Sequence, residues 1–197
     1  MDENKVKKGG LVIVSGPSGV GKSTICKTVV DRMPDVELSV SLTTRPRSDS
    51  EIDGQDYWFL SDAEFREKAA SGGFLEYAEV FGNLYGTPKD KVEQMLAAGK
   101  TVILEIDVQG ARQVKAVYPD AVMIFILPPT AKVLAERLKG RGRDDVDTAE
   151  ERLDGASAEI AAAWQYYEQM VINEELQQAV DECVQIIRNA RSESKDK

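Results

Sequence analysis

One stretch of eight residues, Gly16-Pro17-Ser18-Gly19-Val20-Gly21-Lys22-Ser23, constrains this chain more than any other. It fits G-x-x-x-x-G-K-[ST] at every fixed position. Before it, Leu11-Val12-Ile13-Val14 is an unbroken apolar run rich in β-branched residues, which predicts a buried strand. After it, Ile25, Val29 and Val30 recur at helical spacing and predict a helix starting near Gly21 or Lys22. An ordinary glycine-serine loop can carry the same letters. Strand, glycine loop and helix in succession turn them into a phosphate cradle. Glycines let the backbone turn tightly and aim successive N–H groups at phosphate oxygens, and the helix N-terminus adds partial positive charge. Lys22 is expected on the β- and γ-phosphates as a point charge, and Ser23 on Mg²⁺ through its hydroxyl. The octapeptide together with Thr24 is therefore the expected nucleotide-triphosphate site.

The balance of the 197 residues narrows the class. With 42% hydrophobic residues the chain can bury a sizeable core and suits one domain. Its net charge of −9 argues against nucleic acid and membrane surfaces, which favour basic faces. An anionic ligand must then meet local clusters of Arg and Lys. Cys26 and Cys183 lie far apart on predicted helices, show no metal spacing and read as core thiols. The chain has no histidine, which excludes His-based general-base catalysis and His-metal sites. No apolar run approaches membrane-span length, and Met1-Asp2-Glu3-Asn4-Lys5 lacks a signal-peptide core, so a reducing cytoplasm is the expected compartment.

Further along, Glu37 to Leu42 predicts a second strand, and Thr43 to Asp56 a charged loop. Tyr57 to Leu60 is a short strand candidate. Ser61-Asp62-Ala63-Glu64 is a capping box opening a helix that ends at Gly72-Gly73. Phe74 to Val80 predicts a strand turning at Gly82-Asn83 toward Leu84 to Thr87, a small antiparallel lobe. Pro88 suits the first turn of a helix running to Ala98. Strands at Thr101 to Ile106, Ala121 to Leu127 and Met170 to Ile172 alternate with helices from about Gly110, Thr130, Thr148 and Glu174. That alternation implies an α/β fold with a mostly parallel sheet covered on both faces.

The cradle leaves the second substrate open. Ser41-Leu42-Thr43-Thr44-Arg45-Pro46-Arg47 gathers hydroxyls and two guanidinium groups, which suits phosphate as well as a solvated basic turn. Tyr57 and Tyr85 either donate phenolic hydrogen bonds or pack in the core. Glu105 and Asp107 alternate with Ile106 and share one face, either as a functional acidic pair or as a bridge within the core.

The pieces SGPSGVGKST (from Ser15), SVSLTTR (from Ser39), EIDGQDYWF (from Glu51), FLEYAEVFGNLYGTP (from Phe74), VILEIDVQGA (from Val102), the arginine-rich segment near Arg141, and VIN (from Val171) resemble guanylate kinases in order and spacing. The resemblance covers about Leu11 to Asn189. It implies a three-layer fold of the P-loop NTPase type with three parts. These are a core (about 9–42, 88–137 and 165–190), an inserted GMP-binding lobe (about 43–87) and a lid (about 138–164).

It also implies the reaction ATP + GMP ⇌ ADP + GDP with Mg²⁺, with dGMP an open alternative and oligomeric state undecided. Ser41, Glu76 and Thr87 would face the guanine. Arg45, Arg47, Tyr57 and Tyr85 would hold the GMP phosphate, with Glu105 and Asp107 near GMP and the metal, Asp107 through a water. Lys22, Arg45, Arg141 and Arg152 would act on the transferring phosphoryl group, and Asn173 would sit near the adenine. Arg137 would either assist them or form a helix salt bridge. The chain departs from the family twice. A second loop arginine usual in relatives aligns with Ser48, with Arg47 one position away, and Arg143 stands where a Thr often follows the second lid glycine. Two rivals remain at this level. One is a non-catalytic protein-binding module, which would lack the intact loop; the other is a kinase for a different acceptor, which would not need Ser41, Glu76 and Thr87.

Overall fold

The structure, a computed structural model, describes residues 9–139 and 146–193, with side chains for 9–138 and 155–192. Strands and helices run β1 (Leu11–Ser15), α1 (Lys22–Arg32), β2 (Val36–Leu38), β3 (Leu42–Thr43), β4 (Trp58–Phe59), α2 (Asp62–Ala70), β5 (Phe74–Val80) and β6 (Asn83–Pro88). They continue with α3 (Lys89–Ala97), β7 (Thr101–Glu105), α4 (Val108–Val117), β8 (Val122–Leu127), α5 (Ala131–Lys139), α6 (Val146–Tyr166), β9 (Gln169–Ile172) and α7 (Leu176–Glu193).

Five strands form one sheet in the order β2-β7-β1-β8-β9, and every pairing in it is parallel. Both faces are covered, which is why its strands read as continuous apolar runs. Val12, Val14, Ile124 and Ile126 point to one face and pack with Ile25 and Val29 of α1 and Val180 and Ile187 of α7. Ile13, Leu104, Met123 and Phe125 point to the other, against Val92 of α3, Ala111 and Val114 of α4, and Ala163 of α6. Each fully buried aliphatic side chain contributes about 1.5–3 kcal/mol. Cys26 and Cys183 are both buried free thiols in the α1/α7 layer. Burial pushes the Cys26 thiol well up, and that of Cys183 up to about 12.

A second sheet, β4-β3-β6-β5, forms from the segment between β2 and α3. Its pairings are antiparallel except β3 with β4. The capping box at Ser61 is present: Ser61 Oγ accepts from Glu64 N, and the Glu64 carboxylate accepts from Ser61 N.

Several expected boundaries move, α7 among them, which starts at Leu176 and not Glu174. The run Glu37 to Leu42 is not one strand: Ser39 N donates to Ile103 O at 2.9 Å, then the chain leaves the parallel sheet and enters the second one at Leu42. Helix α4 begins at Val108 rather than Gly110, because the Asp107 carboxylate accepts from Gly110 N at 2.7 Å and caps it. Helix α6 begins at Val146, ahead of Thr148. Arg141 and Arg143 lie outside the described residues, as does the side chain of Arg152 on α6.

Candidate active site

Strand β1 ends at the carboxyl edge of the sheet, and six residues must turn the chain back into α1. Gly16 and Gly21 adopt φ of +150° and +104°, and both sit where no side chain fits. A Cβ on Gly16 would stand 2.4 Å from Ile126 O, and one on Gly21 would stand 2.5 Å from Asn173 Nδ2. Gly21 caps α1 without a side-chain bond, and the first turn carries no acidic residue. The leading N–H groups of α1 are thus left to an anion. From below, Asn173 Nδ2 donates to Val20 O at 2.7 Å. Arg137 donates to Val20 O at 3.3 Å and to Asn173 O at 3.1 Å. Asn173 and Arg137 therefore brace the loop from β9 and α5.

Lys22 Nζ donates to the carbonyls of Gly16 and Pro17, so its ammonium rests within the loop. Ser23 Oγ donates to Glu105 Oε1 at 2.7 Å, tying the loop to the end of β7. Thr24 is exposed on the first turn of α1.

A cavity of about 240 Å³ joins this loop to the second sheet. Lys22 and Ser23 line it on the loop side, with Ser41, Tyr57, Glu76 and Tyr85 on the other, and Glu105 and Asp107 between the sheets. Glu76 is only 5% exposed, and Thr87 Oγ1 donates to its Oε1 at 2.6 Å. Burial pushes the Glu76 carboxyl up to about 7; the Thr87 bond opposes this and the Asp107 charge adds to it. Thr87, Arg45, Arg47 and Asn173 do not line the cavity. Thr87 reaches it through Glu76, and Arg47 is exposed on its loop.

Arg45 lies with its guanidinium 5.5 Å from the centre of the Tyr57 ring and donates to Glu51 at 2.7 Å. Burial would lower the Arg45 pKa, but the bond and charge of Glu51 together with Tyr85 outweigh it and the net direction is up. Glu51 is held down to about 2: burial raises it, and donation from Arg45 and from Ser48 lowers it by more. Ser48 thus anchors the counter-ion of Arg45. Tyr57 and Tyr85 meet edge-on at 5.9 Å, and burial raises the Tyr57 phenol well above its ordinary range.

Two residues escaped the sequence reading. Glu51 lies inside a recognised motif, yet nothing in it signals pairing with Arg45. Glu159 lines the cavity from α6, and burial pushes it up to about 7, with Lys22 opposing and Asp107 adding to the shift. It sits in an alanine-rich helical run with no local signal.

The raised Glu76 gives a pH dependence of definite sign. The folded pKa lies above the usual 4.5, so neutral Glu76 favours the folded state. Its contribution, ~3 kcal/mol, is full below about 4.5, declines as pH rises, and is gone above about 7. Thermal melts of the ligand-free protein from pH 5 to 8 should show wild type losing stability relative to Glu76→Gln across that window.

A family model described as guanylate kinase matches residues 8–190. The chain belongs to the guanylate kinase family. It is accordingly an enzyme of the kinase class. A guanylate kinase of Gloeobacter violaceus is 51% identical over 171 residues, 87% of this chain and 83% of that one. One of Carboxydothermus hydrogenoformans is 46% identical over 180 residues, covering 91% and 88%. The crystal structure of guanylate kinase from Anaplasma phagocytophilum matches with a TM-score of 0.77 and 32% identity, covering 93% of this chain and 87% of that one. A gluconokinase from Sinorhizobium meliloti, at 16% identity and TM-score 0.51, shares the fold alone. Among the described residues no helix is long and apolar enough to cross a membrane.

Proposed function

We propose that this enzyme transfers the γ-phosphoryl group of ATP to GMP, giving ADP and GDP, in the cytoplasm. The observation that carries this reading is the buried Glu76 carboxyl, bonded by Thr87, on the wall of the same cavity that Lys22 and Ser23 line. Guanine offers N1–H and N2–H₂ as donors along one edge, and a carboxylate accepts both. Adenine presents no such pair and would leave the buried group unsatisfied, which is how a polar site discriminates strongly.

In this reading residues 43–87 form the GMP lobe and 138–164 the lid. Ser41, Glu76 and Thr87 read the base, while Arg45, Tyr57 and Tyr85 hold the GMP phosphate. Arg47 is a second grip on it. The GMP phosphate is the attacking group, and its second pKa near ~6 leaves it largely deprotonated at pH 7. No side-chain base is needed. What the chain must supply is positive charge between two polyanions: Lys22 and the loop amides on the donor, Arg45 on the acceptor, Arg141 and Arg152 from the lid.

Mg²⁺ fits the donor set. Ser23, Glu105 and Asp107 would offer it hard oxygen donors at the mouth of the loop, where Ser23 already bonds Glu105. Mg²⁺ is commonly held by one or two carboxylates together with substrate phosphates rather than by a cage of protein ligands. When bound, Mg²⁺ would neutralise charge on the transferring phosphates.

A coupled ADP-release assay with ATP-Mg²⁺ against GMP, AMP, CMP and UMP tests the reading. GMP should be turned over and AMP barely so; comparable rates with AMP would overturn it.

A further inference from the structure

Glu76 stands on β5, one of the two edge strands of the four-stranded sheet. Helix α4, which packs on the parallel sheet, takes the open edge of that strand. Gln113 Nε2 donates to Tyr77 O at 2.9 Å, and Tyr77 N donates to Gln113 Oε1 at 3.4 Å. One carboxamide thus satisfies both backbone groups of the residue after Glu76, as a neighbouring strand would. One turn earlier on α4, Gly110 lies against Glu76 itself. A Cβ there would stand 2.3 Å from Oε2 and 2.9 Å from Cδ. The second carboxyl oxygen, Oε1, accepts from Thr87. Gly110 is in turn fixed by its N–H bond to the Asp107 carboxylate. The acid is boxed on three sides: Thr87 on one oxygen, the α4 backbone against the other, and its strand held by Gln113.

We infer that Gly110 and Gln113 are positioning residues that set where the Glu76 carboxylate stands, and with it the preference for a purine bearing a 2-amino group. This rests on the proposed role of Glu76 in reading guanine. Hypoxanthine keeps N1–H and lacks the 2-amino group, so the ratio of GMP to IMP turnover reports whether the carboxylate still spans both donors. Gly110 has ordinary helical backbone, and alanine suits a helix better than glycine. The atom a new Cβ would strike is the end of a flexible side chain, so the carboxylate moves aside while the helix stays.

Steady-state kinetics of wild type, Gly110→Ala and Gln113→Ala with GMP and IMP as acceptors test this. Gly110→Ala should lower kcat/KM for GMP ~30-fold and cut the GMP-over-IMP preference at least ~10-fold, with KM for ATP within about twofold. Gln113→Ala should move the preference the same way by ~3-fold or more, and Gln113→Glu, which keeps the acceptor for Tyr77 N and loses the donor, should follow it. An unchanged preference in Gly110→Ala and Gln113→Ala alike overturns the inference while leaving the proposed function standing. Should Gly110→Ala not fold, Gln113→Ala decides alone. A wild type that does not prefer GMP over IMP fails before any variant is made, and takes down the guanine-reading role and this inference together.

Discussion

Lys22→Ala is expected to lower turnover of ATP with GMP ~10³-fold while leaving the fold intact. Among the described residues Lys22 is the one cation lining a cavity that also presents Glu76, Glu105, Asp107 and Glu159. A triphosphate entering there meets several carboxyls and this ammonium. Two unit charges about 4 Å apart interact by ~4 kcal/mol at an effective dielectric of about 20, which matches a loss of that size. Among the described residues the bonds Lys22 makes without substrate go to the Gly16 and Pro17 carbonyls, which water can replace. The melting temperature should therefore change by only a few degrees. The measurement is the coupled ADP-release assay beside a thermal melt; a folded variant with undiminished turnover would remove Lys22 from the mechanism.

The second large effect belongs to Glu76. Glu76→Gln keeps the shape and the Thr87 neighbour but sets an NH₂ group against a guanine donor. The kcat/KM for GMP should fall ~10³–10⁴-fold, because one buried donor is left facing another. Selectivity against AMP should narrow at the same time, since an amide can pair with the adenine edge. Protonation of the native carboxyl has a related consequence. With the free-enzyme pKa near 7, KM for GMP should rise about tenfold per pH unit below it, and flatten above. The second proton of GMP adds to this only below about 6. Glu76→Gln should show no limb near 7. A variant that retains GMP turnover, or a wild type whose GMP KM is flat from pH 6 to 8, contradicts the role.

The site was legible wherever local chemistry forces a residue type. The loop glycines, Lys22 and Ser23 can be read because a tight turn under a phosphate admits few alternatives. The strand at Phe74 to Val80 and the capping box at Ser61 appear where periodicity and end chemistry put them. What escaped is set by tertiary contact. The break after Leu38 comes where the chain makes its last rung, Ser39 to Ile103, and passes to the other sheet at Leu42, while the alternating pattern along the chain runs straight through it. The start of α4 depends on the Asp107 carboxylate reaching Gly110 N, and an acid after a strand reads equally as a functional group and as a cap. Asn173, expected near the adenine, also donates its amide to Val20 O, a partner 153 residues away that no local pattern signals. Glu159 and the Arg45–Glu51 pair likewise depend on where distant segments meet.

The two thiols carry a last consequence. Each is sealed between α1, α7 and the sheet, and burial holds both in the protonated form. A thiolate is what peroxides and alkylating reagents attack, and neither cysteine offers one. The chain has no histidine and, among the described residues, no sulfur lines the cavity, so mild oxidants find no ready target on those walls.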